Sequence, residues 1–319
     1  MEHSLVVENL KTYYHTYKGF NHAVDGVSFT LEKGKIFGLI GESGCGKSTV
    51  GYSLLNMIQF PGEIREGAVR LGDTDILQQS GAALRKILWK EIAMVPQSAM
   101  NALNPSHRVG RQIAEAISLH MPELKPQQVR ERVEELLVSV GLDRKWADTF
   151  PHKLSGGMKQ RAIIAMALAC TPKVIISDEA TTGLDVLIEA QILALYRKLA
   201  EERGISIVII SHDLHMVSSV CDRVGIMYGG HLVEVLDAER LSQARHPYTK
   251  ALFASQIDPA DFSRRVEPIN GYVPKLVEPE DQCRFLSRCT ETCDKCQGPA
   301  PRLTEVGPNH QVACWREEG

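Results

Sequence analysis

Short alternating apolar runs open the chain: Leu5-Val-Val7, Val27-Ser-Phe-Thr-Leu31 and Lys35-Ile-Phe-Gly-Leu-Ile40. Their two-residue period predicts strands, and the third runs straight into a glycine-rich loop at Gly41. A helix is expected from Lys47 to about Met57. From about Gly81 to Cys170 the pattern is mostly helical. Its clearest element is Lys125 to Val140, where Val129, Val133, Leu136, Leu137 and Val140 share one face and Gly141 supplies the stop. Two continuous apolar runs follow, Val174-Ile-Ile-Ser177 and Ile205-Ser-Ile-Val-Ile-Ile210, separated by a helical stretch from Leu187 to Ala200. Apolar strands alternating with a helix predict a parallel sheet buried on both faces. A hairpin is expected next, Arg223 to Tyr228 and His231 to Val235, turned by Gly229-Gly230. Beyond about Asp258 the period fades, and prolines, charges and cysteines accumulate. The expected organisation is a domain over 1–257, with a helical subdomain at about 81–170, and a small appended module over 258–319.

Composition narrows the class without naming it. Of 319 residues, 44% are hydrophobic and 24% charged, which suits a globular protein with a sizeable core. A net charge of −3 gives no basic excess for nucleic acid. The best apolar run, Ala162 to Cys170, is about half of the ~18 residues a membrane span needs. The start, Met1-Glu-His-Ser4, carries an acid and no apolar stretch, so a cytosolic location is expected. Three cysteines are scattered (Cys45, Cys170, Cys221). Five crowd the tail: Cys283, Cys289, Cys293, Cys296 and Cys314. In a reducing compartment, crowded thiols argue for metal or cluster ligation over disulfides.

The segment Gly41-Glu42-Ser43-Gly44-Cys45-Gly46-Lys47-Ser48-Thr49 fits the phosphate-loop spacing, with a strand before it and a helix after it. Glycines let the backbone wrap so that successive N–H groups face phosphate oxygens. Lys47 brings a point charge to the β- and γ-phosphates, Ser48 can bind Mg²⁺, and the following helix aims its positive end at the anion.

A phosphate loop alone leaves kinases, GTPases and many ATPases open. Leu154-Ser155-Gly156-Gly157-Met158-Lys-Gln-Arg161 resembles the signature sequence of ABC ATPases, and further motifs occur in that family's order. They are Met94-Val-Pro-Gln97, Val174-Ile-Ile-Ser-Asp178-Glu179, Gly183-Leu-Asp185 and Ser211-His212-Asp213. The resemblance spans about residues 5 to 255. It implies an α/β P-loop fold with a mostly parallel core sheet, an antiparallel β subdomain and a helical signature subdomain, to which the tail adds a small Cys-rich C-terminal module. It also implies a head-to-tail dimer in which ATP lies between the phosphate loop of one subunit and Ser155, Gly156 and Gly157 of the other. Asp178, Ser48 and Gln97 are then Mg²⁺ ligands, and Glu179 orients the attacking water. His212 senses the γ-phosphate, Gln97 reaches the catalytic site, and Asp185 forms the D-loop. The family pattern counted from Asn9-Leu10 selects Tyr14, over Tyr13, to stack on adenine.

Several stretches resemble the oligopeptide/dipeptide/nickel importer branch in particular. These are Ala23-Val-Asp-Gly-Val-Ser-Phe29, the phosphate loop itself, Met100-Asn-Ala-Leu-Asn-Pro105 and His246-Pro-Tyr-Thr-Lys-Ala-Leu252. Met158, Ala180 and Gly183 depart from the general family at positions peripheral to the chemistry. The branch implies a second ATPase subunit (a copy or a paralogue), two permease subunits and an extracytoplasmic solute-binding protein, at the cytoplasmic face of the membrane. By residue chemistry alone, the tail cysteines leave Zn²⁺ and an iron–sulfur centre both open, and Cys293 with Cys296 offers a zinc-like pair. The branch implies a [4Fe–4S] cluster on Cys283, Cys289, Cys296 and Cys314, leaving Cys293 spare. The expected function is ATP-driven uptake of di- or oligopeptides. Nickel or metal-chelate and oligosaccharide uptake are the alternatives, and a soluble ABC ATPase acting on nucleic acid would need a coiled-coil insertion, a tandem ATPase domain or a basic surface.

Overall fold

The computed structural model describes residues 3–97, 102–256 and 268–317. The expected boundary near Asp258 and the first two residues of Met100–Pro105 lie outside them. Strands β1 (His3–Thr16), β2 (Gly19–Glu32) and β3 (Ile36–Ile40) lead to α1 (Lys47–Leu54), then β4 (Gly62–Leu71) and β5 (Thr74–Asp75). Next come α2 (Gly81–Ile87), β6 (Ile92–Val95), α3 (Val109–His120), α4 (Pro126–Ser139), α5 (Gly156–Ala167), β7 (Val174–Asp178), α6 (Val186–Arg203) and β8 (Ser206–Ser211). The chain continues through α7 (Leu214–Ser218), β9 (Arg223–Tyr228), β10 (His231–Asp237), α8 (Pro247–Ala254), β11 (Thr304–Gly307) and β12 (His310–Val312).

Two compact units divide these elements. The first holds Met1–Ser4, Glu32–Lys35 and Gln78–Val208; the second holds Leu5–Leu31, Ile36–Leu77 and Ile209–Gly319.

In the first unit, β6 pairs in parallel with β7, Ile92 opposite Val174 and Val95 opposite Ser177. Every residue of β7 is buried, as the unbroken apolar run predicted. Helix α4 starts on a proline and buries Val129, Val133, Leu136 and Leu137, while Gly141 takes a left-handed φ of 79° past its end. Helix α6 is capped at both ends. The Asp185 carboxylate accepts the Ile188 N–H, and Gly204 at φ 65° donates its N–H to the Ala200 carbonyl. Among the described residues, the expected helical stretch from 81 to 170 thus contains α2 to α5 and the strand β6.

In the second unit, β2, β1, β4 and β5 form a four-stranded sheet, antiparallel along β1–β4 and β4–β5. A second sheet runs β11–β12–β10–β9–β3. It is parallel between β3 and β9 and antiparallel from β9 outward. The second sheet is therefore mixed. The tail contributes β11 and β12 as extra antiparallel strands on β10, which the fading period after Asp258 did not predict. Helix α1 stops at Leu54, short of Met57, because Asn56 turns to a left-handed φ of 52° and the Met57 N–H returns to the Tyr52 carbonyl. The hairpin β9–β10 turns at Gly229 and Gly230, both with positive φ, as the glycine pair implied.

Candidate functional site

The phosphate loop lies in the second unit between β3 and α1. Two of its glycines are required sterically. A Cβ on Gly41 would sit 2.2 Å from the Met227 carbonyl oxygen, and one on Gly46, at φ 109°, would sit 2.0 Å from that of Ala23. Gly44 also has a left-handed φ of 79°. Lys47 is 4% exposed, and its ammonium donates to the carbonyls of Gly41 (2.8 Å) and Glu42 (2.9 Å). The Gly230 N–H holds the Cys45 carbonyl at 3.0 Å, and burial pushes the Cys45 thiol pKa up. Ser43 and Gly44 are exposed at the lip, and Ser48 and Thr49 follow half-buried in the first turn of α1.

Glu42 is held from several sides. Its N–H donates to the Tyr248 hydroxyl (3.0 Å), and its carboxylate receives both terminal nitrogens of Arg288 at 2.7 and 3.0 Å. Arg288 comes from the tail, and nothing in the local sequence signals this partner.

Of the two candidate tyrosines, Tyr13 is engaged elsewhere. Its hydroxyl donates to Asp25 (2.7 Å), and its ring stacks on His22 at 3.9 Å. Burial, then the Asp25 carboxylate, raises its pKa. Tyr14 pairs in register with Gly62, whose missing side chain leaves room for the tyrosine ring. His212 is exposed at the end of β8. Gln256 fixes that turn, donating to the His212 carbonyl (2.6 Å) and accepting the Leu214 N–H (2.8 Å). No local signal in the sequence marks Gln256 for this contact.

The first unit carries the remaining motifs. Gln97 donates through Nε2 to Glu179 Oε2 at 2.7 Å, so two expected catalytic residues meet. Glu179 has a left-handed φ of 43°, a strained value for a residue with a Cβ, directly after the buried Asp178. Ser155 caps α5, its hydroxyl accepting the Met158 N–H at 3.4 Å, and it is exposed. Gly156 opens the helix. A Cβ on Gly157 would meet the Ile188 side chain at 2.6 Å, near the Asp185 cap. Ser48, Gln97 and Asp178 offer hydroxyl, amide and carboxylate oxygens, the hard donor type that Mg²⁺ prefers.

In the tail, Cys283, Cys289, Cys296 and Cys314 line one small pocket with Phe285, His246 and Pro301. Burial pushes the Cys283 thiol up to about 11, and the neighbouring Cys289, Cys296 and Cys314 add to the shift. Cys293 lies outside the pocket lining, its sulfur 3.5 Å from that of Cys296. Among the described residues, no group of three or more His, Cys, Asp or Glu side chains is arranged to hold a metal ion. The four thiols thus share a pocket without forming a ready cage. Nor is any helix among the described residues long and apolar enough to cross a membrane.

The fold and the motif order define an ATP-binding cassette, an ATP-hydrolysing enzyme. The family described as ABC transporter matches residues 24–182, and the oligopeptide/dipeptide transporter C-terminal region matches residues 233–296. A probable peptide ABC transporter ATP-binding protein of Sinorhizobium fredii is 39% identical, covering 98% of this chain and 94% of that one. The dipeptide transport ATP-binding protein DppD of Bacillus subtilis is 38% identical over 100% of this chain and 96% of its own length. Among solved structures, an ATP-binding cassette in a dimeric post-hydrolysis state bound to ADP and Pi superposes with a TM-score of 0.66. It is 26% identical and covers 73% of this chain and 98% of that one. A Clostridium perfringens subunit of a cbiONQ transporter gives a TM-score of 0.67 at 28% identity, over 76% of this chain and 92% of its own. The chain belongs to the ABC transporter ATP-binding proteins, in their oligopeptide/dipeptide branch.

Proposed function

We propose that this chain is the motor subunit of an importer for di- or oligopeptides, hydrolysing ATP at composite sites shared with a second ATPase subunit. One observation carries the composite site. The chain has a buried glycine-led helix start at Lys47 and a separate exposed one at Ser155. Each suits an anion, because the first-turn N–H groups and the helix dipole favour negative charge. In a head-to-tail dimer, the phosphate loop binds the β- and γ-phosphates through backbone N–H groups and Lys47. Ser155, Gly156 and Gly157 of the second subunit close on the γ-phosphate, and Tyr14 stacks on adenine.

Phosphoryl transfer to water needs positioning and charge stabilisation above all. Glu179 accepts a hydrogen bond from the attacking water and aligns it with the γ-phosphorus, while Gln97 holds the Glu179 carboxylate. His212 donates to the γ-phosphate, and Asp185 communicates between subunits from the cap of α6. Ser48, Asp178 and Gln97 would hold Mg²⁺, which when bound supplies neutralisation of phosphate charge. Two permease subunits and an extracytoplasmic solute-binding protein complete the transporter at the cytoplasmic face of the membrane. Names of relatives in dipeptide and oligopeptide transport support this cargo over nickel chelates or oligosaccharides.

The shared pocket supports Cys283, Cys289, Cys296 and Cys314 as ligands of a [4Fe–4S] cluster, with Zn²⁺ as the competing occupant. When bound, such a centre supplies a cross-link among the otherwise irregular segments of the tail. Stoichiometric iron and sulfide in anaerobically purified protein are expected; zinc without iron would replace the assignment. For the motor, the test is the transporter assembled with its permeases in vesicles. Peptide uptake should require ATP and stop in Glu179→Gln, and uptake that persists in that variant would overturn the reading.

A further inference from the structure

The Arg288 side chain is 3% exposed, in a segment far from the nucleotide motifs in sequence, yet all its hydrogen-bonding capacity is used. Nε donates to the Asn270 carbonyl (2.9 Å), Nη1 to Glu42 (2.7 Å) and the Tyr228 hydroxyl (3.2 Å), and Nη2 to Glu42 (3.0 Å) and the Ile269 carbonyl (3.2 Å). A guanidinium has five N–H donors in a rigid fork, and here each finds an acceptor. The acceptor that receives two of them is the second residue of the phosphate loop.

Glu42 is also where Lys47 rests, since its carbonyl accepts the Lys47 ammonium. The position of this one residue therefore sets the wall of the loop and the direction from which Lys47 approaches a phosphate. A carboxylate beside a phosphate site is also a liability, because like charges repel in a partly desolvated site. A bidentate guanidinium cancels that charge and fixes its carrier together. Arg284 grips the same loop by a second route. It donates to the Gly229 carbonyl and to Asp25, and the adjacent Gly230 N–H holds the Cys45 carbonyl at 3.0 Å. Phe285 seats the segment between the two arginines, its ring against Tyr228 (5.2 Å) and Tyr248 (5.4 Å), and the Tyr248 hydroxyl accepts the Glu42 N–H.

We propose that Arg288 is a positioning residue for ATP binding, holding the phosphate loop through Glu42 and neutralising it, so that the tail is a working part of the nucleotide site. This rests on Gly41–Thr49 being the ATP phosphate loop, and the experiment separates the two ideas. Mg-ATP affinity is measured on the full chain, with thermal stability alongside, for Lys47→Ala, Arg288→Gln, Arg288→Lys, Glu42→Gln and the double variant Glu42→Gln/Arg288→Gln.

Arg288→Gln should weaken ATP binding about tenfold, the effect of losing hydrogen bonds to a charged group. Arg288→Lys, keeping the charge without the fork, should recover part of that loss. The double variant should bind no more weakly than Arg288→Gln, because both changes break one interaction. Additive losses, or a fall in melting temperature with ATP affinity unchanged, would overturn the proposal. Should Lys47→Ala bind ATP normally, the phosphate-loop assignment itself fails. Should Lys47→Ala lose binding while Arg288→Gln keeps it, only the role of Arg288 fails.

Discussion

Two helix starts in this protein use the same device and are finished to different degrees. At α1 the loop is complete within its own unit. Gly46 leads the helix with a left-handed φ and no side-chain cap, Lys47 is buried, and neighbouring carbonyls close on Gly41 and Gly46. Tyr248 and Arg288 then brace Glu42. At α5 the Ser155 hydroxyl makes one long hydrogen bond of 3.4 Å to the helix it caps, and the residue is exposed. A first-turn N–H group gains more from an anion than from a weak cap. On the proposed reading, the first site engages ATP within one chain and the second receives it from another.

The largest expected effect separates binding from turnover. Glu179→Gln should lower turnover by about 10²- to 10⁴-fold, the usual weight of a positioned base, with ATP affinity intact. Equal losses of affinity and turnover would place Glu179 in the binding site instead. Next, Lys47→Ala should weaken ATP binding by about a hundredfold, as removal of a charged donor to phosphate implies. An equal loss from Ser155→Ala in the isolated chain would erase the contrast between the two helix starts.

Smaller effects sharpen the same contrast. Tyr14→Ala should raise the ATP KM about tenfold with little change in kcat, because base–aromatic stacking is worth ~1–3 kcal/mol. Tyr13→Phe should leave that KM alone, since the Tyr13 hydroxyl serves Asp25; a raised KM there would reverse the choice. Asp185→Ala removes the cap of α6 and should cost about 1 kcal/mol in chemical denaturation. No change in stability would show that the carboxylate is kept for another purpose.

Much of the first unit was legible in the sequence because its signals are local. Lys125 to Val140 reads as a helix from its apolar spacing and Gly141, and Val174 to Ser177 reads as a buried strand from its unbroken run. Residues 41–49 and 154–161 carry their chemistry in contiguous motifs, so these candidate residues are legible without a structure. What stayed hidden depends on distant pairing. Strands β11 and β12 have few residues each and gain their order from β10, so no period announces them. Arg288 meets Glu42 across 246 positions, and Gln256 reaches His212 across 44, where only folding reveals a partner. Tyr13 and Tyr14 are adjacent in sequence, and their divergence follows from Asp25 on one side and Gly62 on the other.

The most direct test is to count bound ATP and measure hydrolysis on the same dilute, monomeric wild-type sample. One ATP should be bound per chain with no turnover above that of Glu179→Gln, and hydrolysis should appear only when a second ATPase subunit is supplied. Full turnover by the verified monomer would contradict this, because the signature at Ser155 would then have no work to do in trans.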